Sequence, residues 1–193
     1  MYSESRNTPR ILGRRFPLTS TSYKWIDIRI CVGSPVAYVE LSIGDNKGNR
    51  IILPYRTLRA LTEKRTDIER LMQSKATSSL SIYEVTVQLV KLRDDDIIKL
   101  TLHDSYIYMK PTTMLFMCEL QHCVEHIYYE LHQSKTTVTE KYKYFVNFLR
   151  QNCIMNKNDA IILLRKTYDK NSQIECELIA YAMDNIVYDA LKE

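Results

Sequence analysis

The sequence predicts an α+β fold: two tandem units, each an antiparallel β-sheet closed by a long helix and paired within the chain as a pseudo-dimer, followed by an all-α tail. Three observations carry this. Apolar residues alternate with polar ones in two separate stretches, which is the period of a half-buried strand. Each stretch ends at a proline that opens a helical pattern, Pro54 in the first and Pro111 in the second. Beyond residue 137 only helical spacing remains. The expected division is a flexible basic arm over 1–22, a first sheet-helix unit over 23–78, a second over 79–135 and a helical region over 136–193.

The arm, rich in Ser, Thr, Pro and Arg, shows no period. In the first unit Ile26, Ile28 and Ile30 form one face of a strand, and Val39, Leu41 and Ile43 form one face of the next. A turn at Asp45–Asn49 contains Lys47-Gly48, and Arg50–Leu53 is a further strand. A helix then runs from about Tyr55 to Ser74. In the second unit Tyr83, Val85, Val87 and Leu89 alternate along one strand, and Asp94-Asp95-Asp96 marks a turn. Ile98, Leu100 and Leu102 come next, then the short strand YIYMK, then a helix from Pro111 to about His132. YVELSIGDNKGNRIILP lies over IIKLTLHDSYIYMKP, and LMQSKAT over LHQSKTT, in the same order, so the two units read as a duplication. Tail helices are expected near Thr139–Gln151, Asn158–Asp169 and Gln173–Lys192, with Thr139 and Asn158 as caps.

Composition narrows the class. Hydrophobic residues make up 45% and charged residues 26%, enough apolar material for a core. The five cysteines are odd in number and form no CxxC pair, so reduced thiols in nucleus or cytoplasm are expected rather than a secreted disulfide framework. No apolar run approaches a membrane span, and no signal core comes after Met1. Net charge is +4, but residues 1–75 carry +7, residues 76–135 carry −3 and the rest carry 0. An anionic partner would be drawn to the first third. Abundant Ile, Lys, Asn and Tyr with only 4 Gly fits an AT-rich, viral source.

Ile26-Asp27-Ile28-Arg29 and GNRIILPYRTLRALTEKRTDIERLM resemble strand and strand-to-helix segments of the transcriptional coactivator called positive cofactor four. SYIYMKPTTMLFMCELQHCVEHIYYEL is similar to the last strand and helix of a PUR repeat. Over roughly residues 23–133 the chain therefore resembles the single-stranded-DNA-binding superfamily that holds PUR repeats, Whirly proteins and that coactivator. The resemblance implies paired ββββα units whose sheet faces offer aromatics and cations to unstacked bases.

Such a site needs a cationic groove for the backbone and flat rings for the bases. The positions opposite the buried alternation supply candidates: Trp25, Arg29 and Tyr38, with Lys47 and Arg50 about the turn, and Lys99, Tyr106, Tyr108 and Lys110 in the second unit. Arg10, Arg14 and Arg15 of the arm would grip phosphate. Trp25, the only tryptophan, reads equally as a core residue, and Arg29 as a surface ion pair with Asp27.

His122-Cys123-Val124-Glu125-His126 matches the inverted zinc-protease pattern HxxEH, with Cys118 one helical turn earlier. No third ligand has a motif, so the pattern is expected to be a helix flank and not a metal site. No nucleophile elbow, P-loop or dinucleotide fingerprint is present. The expectation is a non-enzymatic, cofactor-free protein that binds single-stranded DNA or RNA without strong sequence preference, DNA favoured, in replication, transcription or genome handling. The tail offers a surface for self-association. The alternatives are an interaction scaffold with no nucleic-acid role and, last, a zinc hydrolase.

Overall fold

The computed structural model describes residues 8–33, 36–74 and 78–192. Residues 1–7 of the expected arm and 75–77 of the first helix exit lie outside them. Two four-stranded antiparallel sheets alternate with helices, and a helical tail completes the chain. The first sheet has the order β1 (Arg10–Pro17), β2 (Lys24–Cys31), β3 (Tyr38–Asp45), β4 (Arg50–Leu53). Helices α1 (Tyr55–Glu63) and α2 (Arg65–Gln73) come next. The second sheet runs β5 (Ser79–Ile82), β6 (Val85–Leu92), β7 (Asp95–Leu102), β8 (Ser105–Met109), and leads into α3 (Pro111–Glu119) and α4 (Gln121–Gln151). The tail holds α5 (Lys157–Thr167), α6 (Gln173–Tyr181) and α7 (Met183–Leu191).

The repeat extends to details that periodicity does not reveal. In each copy a nine-residue helix stops at one residue, Lys64 or Leu120, and a second helix begins immediately. The buried residues of α1 are Thr57, Leu58, Leu61 and Thr62, and those of α3 are Thr113, Met114, Met117 and Cys118, in identical spacing. Thr57 and Leu58 donate amide hydrogens to the carbonyl of Pro54; Thr113 and Met114 do the same to Lys110. Pro54 is thus equivalent to Lys110, one residue from the Pro54–Pro111 match that the sequence suggests.

The chain divides into two compact units. The larger holds residues 14–28 and 40–128. There α1 and α2 pack on α3, α2 lies on β5 and β6, α3 lies on β7, and β4 runs beside β8. Ile98, Leu100, Ile107, Val85 and Val87 are fully or almost fully buried on the inner face of the second sheet. Burying each such side chain contributes about 1.5–3 kcal/mol. The smaller unit holds residues 8–13, 29–33, 36–39 and 129–192, the described part of its span. Phe145, Val138, Leu149, Leu164, Leu178 and Ile186 make its core. The Ala37 amide donates to the Thr139 hydroxyl (3.0 Å), the Leu12 amide donates to Glu177 (2.6 Å), and the Tyr142 hydroxyl donates to Asp189 (2.6 Å).

Several expectations are corrected. Residues 10–17 are a strand, not an arm. Leu12 takes a left-handed φ of 53°, so Ile11 and Leu12 are buried in succession and alternation is lost. Tyr83 belongs to a hairpin loop and not to a strand face, with φ 51° and 67% exposure. The turn expected at Asp94-Asp95-Asp96 is Arg93-Asp94, while Asp95 and Asp96 lie in β7. The helix expected to end near His132 continues to Gln151, so no break falls at 135 and Thr139 does not cap; its hydroxyl bonds back to the Lys135 carbonyl at 2.9 Å. Asn156, not Asn158, caps α5 through the Asp159 amide (2.9 Å), and the last helix is divided at Ala182.

The β6–β7 loop places Arg93 (φ 52°) and Asp94 (φ 71°) both in the left-handed region, as a two-residue hairpin turn of mirror type requires. Neither residue suits it as well as Asn-Gly. The double substitution Arg93→Asn, Asp94→Gly is expected to raise unfolding stability by about 1 kcal/mol, read as a higher urea midpoint at unchanged slope.

Candidate nucleic-acid interface

The outward faces of the two sheets differ in chemistry. On the first, β2 is buried on both sides, which overturns the expectation of one exposed face. Trp25 is 7% exposed. Its ring occupies the space above Gly44, where an added Cβ would sit 2.3 Å from a ring carbon. The Arg15 guanidinium lies 4.2 Å from the ring centre on top of it. Arg15 also binds both oxygens of Asp27, at 2.7 Å each. Trp25 is therefore no stacking platform: it is enclosed between Gly44 and an engaged arginine.

Of the cations expected to meet phosphate, Arg15 and Arg50 are engaged by carboxylates, as is the neighbouring Lys24. Arg50 pairs with the buried Glu40, and Lys24 pairs with the buried Asp45 at 2.9 Å. Asp45 also accepts from the Asn49 amide and the Lys47 and Asn49 backbone. Burial pushes its carboxyl up, but the Lys24 ammonium and the Asn49 donors outweigh that and hold it below the ordinary carboxylate value. The Ser42 hydroxyl and Arg50 Nε are buried without a partner among the described residues. Each buried carboxylate thus has its own cation, and the face carries no surplus positive charge from these residues.

The second sheet is open. Two cross-strand rows point outward: Ser79, Gln88, Lys99 and Tyr108 in one, Ser81, Thr86, Thr101 and Tyr106 in the other. Their neighbours along each strand, such as Val87, Leu100 and Ile107, fill the core. Tyr106 and Tyr108 stand edge to face with centres 5.3 Å apart, and the Lys99 ammonium lies 4.9 Å from the centre of Tyr106. Tyr106 is 48% exposed. Among the described residues Lys99 makes no ion pair. Every position in the two rows carries a hydrogen-bonding group and none is a carboxylate, although residues 76–135 carry a net −3; the Thr101 hydroxyl is buried and has no partner among the described residues. Asp95 closes the face at the hairpin end, beyond the apolar pair Val90–Ile97. Lys110 is exposed just past β8.

The structure thus brings together Lys99, Tyr106 and Tyr108, with Lys110 at the strand end. Lys47 is exposed in the β3–β4 turn, and Arg14 is exposed on β1. Arg10, Arg29 and Tyr38 belong to the smaller unit and do not join that cluster. Ser79, Ser81, Thr86, Gln88 and Thr101 were not singled out by sequence reasoning. Their signal was the same alternation, since each lies opposite a buried Val, Leu or Ile.

The HxxEH segment is differently arranged from a zinc site. The helix is interrupted at Leu120, between Cys118 and His122, so these two residues share no continuous face. Cys118 is buried, and burial pushes its thiol up to about 11. The His122 side chain is 90% exposed, and His126 is exposed. Glu125 accepts a hydrogen bond from the Tyr55 hydroxyl at 2.6 Å, and Tyr55 stacks on Tyr128 with centres 4.1 Å apart. Glu125 and the rings thus join α1 to α4. Among the described residues no group of three or more His, Cys, Asp or Glu side chains can hold a metal. No helix among them is long and apolar enough to cross a membrane.

Two substitutions test the closed face. Asp45→Asn leaves Lys24 buried without its countercharge and is expected to cost about 3 kcal/mol at neutral pH. Because the folded carboxyl titrates below its unfolded value, its contribution is complete above about pH 4 and is lost as pH falls further. The variant should accordingly lose less stability than the parent between about pH 4 and pH 2, measured by denaturant titration. Gly44→Ala drives a methyl into the Trp25 ring; a loss of about 1–3 kcal/mol and a red shift of indole emission are expected. No family model matches the sequence, and comparison with curated proteins finds no match.

Proposed function

We propose that the chain is a non-enzymatic binder of single-stranded nucleic acid, DNA in preference to RNA, acting in replication, transcription or genome handling. The observation that carries this is the outward face of the second sheet. It combines two tyrosine rings, an ammonium group without an ion pair and a set of hydrogen-bonding side chains, and both rows are free of carboxylate. Rings supply sequence-tolerant stacking, and a cation near them meets the sugar-phosphate backbone. The two ββββα repeats, with α1 and α2 packed on α3, support the likeness to the PUR, Whirly and positive-cofactor-four superfamily. A second reading, an interaction scaffold, draws on the smaller unit, where Tyr181 (65% exposed), Tyr188 and Tyr144 face solvent.

Titration with labelled poly-dT separates the two. Each base stacked on a ring is worth about 1–3 kcal/mol. Tyr106→Ala and Tyr108→Ala should each weaken binding by about 5- to 150-fold with no change in melting temperature. Trp25 emission should not change on binding, because Arg15 and Gly44 already occupy both sides of the ring. Unchanged affinity in both tyrosine variants would remove this face from the interface.

A further inference from the structure

Resting on the reading above, we infer that the second-sheet face grips the bases of a short unpaired segment rather than tracking a phosphate backbone, and that Gln88 sets a base preference at one position. Two independent observations lead there.

The first is the fate of the positive charge. Residues 1–75 hold 14 Lys/Arg, and seven of them are Arg15, Lys24, Arg50, Arg56, Arg59, Arg65 and Arg70. Each pairs with a carboxylate: Asp27, Asp45, Glu40, Glu84, Glu63, Glu69 with Glu119, and Asp67. The excess therefore rests on the remaining cations, of which Arg14 lies on β1, Lys47 in the β3–β4 turn and Lys64 between α1 and α2, none of them in the second sheet. At the ring pair only Lys99 and, past the end of β8, Lys110 remain as cations. A single strand held there loses counterions from one or two phosphates, and its affinity depends weakly on salt.

The second observation is the make-up of the rows. Gln88 stands directly across from Lys99, which stands across from Tyr108. β7 lies between the strands of Gln88 and Tyr108, so the two residues stand about 10 Å apart, twice the interstrand spacing, and the long Gln88 side chain can span the gap to the edge of a base stacked on the ring. A carboxamide presents a donor and an acceptor together, which is the pairing that base edges recognise. Ser79, Ser81 and Thr86 flank it with hydroxyls that donate or accept and so tolerate any base. The rings therefore supply affinity and the amide supplies discrimination.

The test uses the full chain with dA, dC, dG and dT homo-oligomers of one length, and a tetranucleotide of the best binder, over a range of salt. Expected are a slope of log affinity against log salt of about −0.7 to −1.4, near-full affinity for the tetranucleotide, and a ranking among bases that Gln88→Ala flattens with less than about tenfold loss for the weakest binder. Circular dichroism of the variant establishes that it folds. A slope of about −3 or steeper, or a ranking untouched by Gln88→Ala, would overturn the inference and leave single-strand binding standing. Failure of every oligomer to bind at any salt would sink the parent reading and this one together.

Discussion

Neither four-stranded sheet can exist alone, because each has one face built of Ile, Val, Leu and Met that must be kept from water. In the larger unit the helices meet that need jointly. α3 covers β7 of its own repeat, α2 of the first repeat covers β5 and β6 of the second, and both α1 and α2 rest on α3. The contribution of these faces is hydrophobic and nondirectional, so it dictates which side of each strand is buried and leaves the other side unconstrained. The break after nine residues in each helix, at Lys64 and at Leu120, lets one chain segment serve two packing directions. The Tyr55–Tyr128 stack and the Tyr55–Glu125 hydrogen bond then fix α1 against the start of α4.

The two sheet-helix repeats present two outward faces with different chemistry. Strand register makes Arg50 the structural equivalent of Tyr106, Ser42 that of Lys99 and Gly44 that of Thr101. In the first repeat the missing side chain at Gly44 admits the indole of Trp25, and Asp27, Glu40 and Asp45 hold three cations over the sheet. Ion pairs of this kind cost desolvation and are retained only with good hydrogen bonding, which the twofold contact of Arg15 and the donors around Asp45 provide. In the second repeat Thr101 stands at the equivalent position with its hydroxyl buried, Tyr106 is about half exposed and Tyr108 is partly buried. Matched positions carry different side chains: ion pairs cover the first face, whereas Lys99 makes no ion pair among the described residues.

Much of the architecture was legible in the linear chain. Alternation around Ile26, Leu41, Val87 and Leu100 identified β2, β3, β6 and β7, and the paired exits and prolines revealed the repeat. Lys99, Tyr106 and Tyr108 were legible as a cluster because a strand puts every second residue on one side. β1 was not, because the left-handed turn of the backbone at Leu12 breaks the period. The hairpin at Tyr83 was also hidden, since its loop residue adopts positive φ without the Gly or Asn that would signal it.

The clearest divide is seen at the two helix exits. LMQSKAT and LHQSKTT are nearly the same local message, yet α2 stops at Ser74, whose hydroxyl caps the Leu71 carbonyl, while α4 runs through Ser134 to Gln151. The difference lies in the apolar side chains of the longer helix: Leu131, Val138, Tyr142, Phe145 and Leu149 extend a buried stripe that rewards continuing it. Sequence alone determined which residues alternate, which segments can be helical and that the unit occurs twice, because these depend on local periodicity. Only the tertiary structure decided that Trp25 is enclosed, that Arg15, Lys24 and Arg50 are paired with buried carboxylates and that Tyr106 stays exposed. Those outcomes depend on which residues from distant strands come within ion-pair distance, and no short window of sequence contains that information.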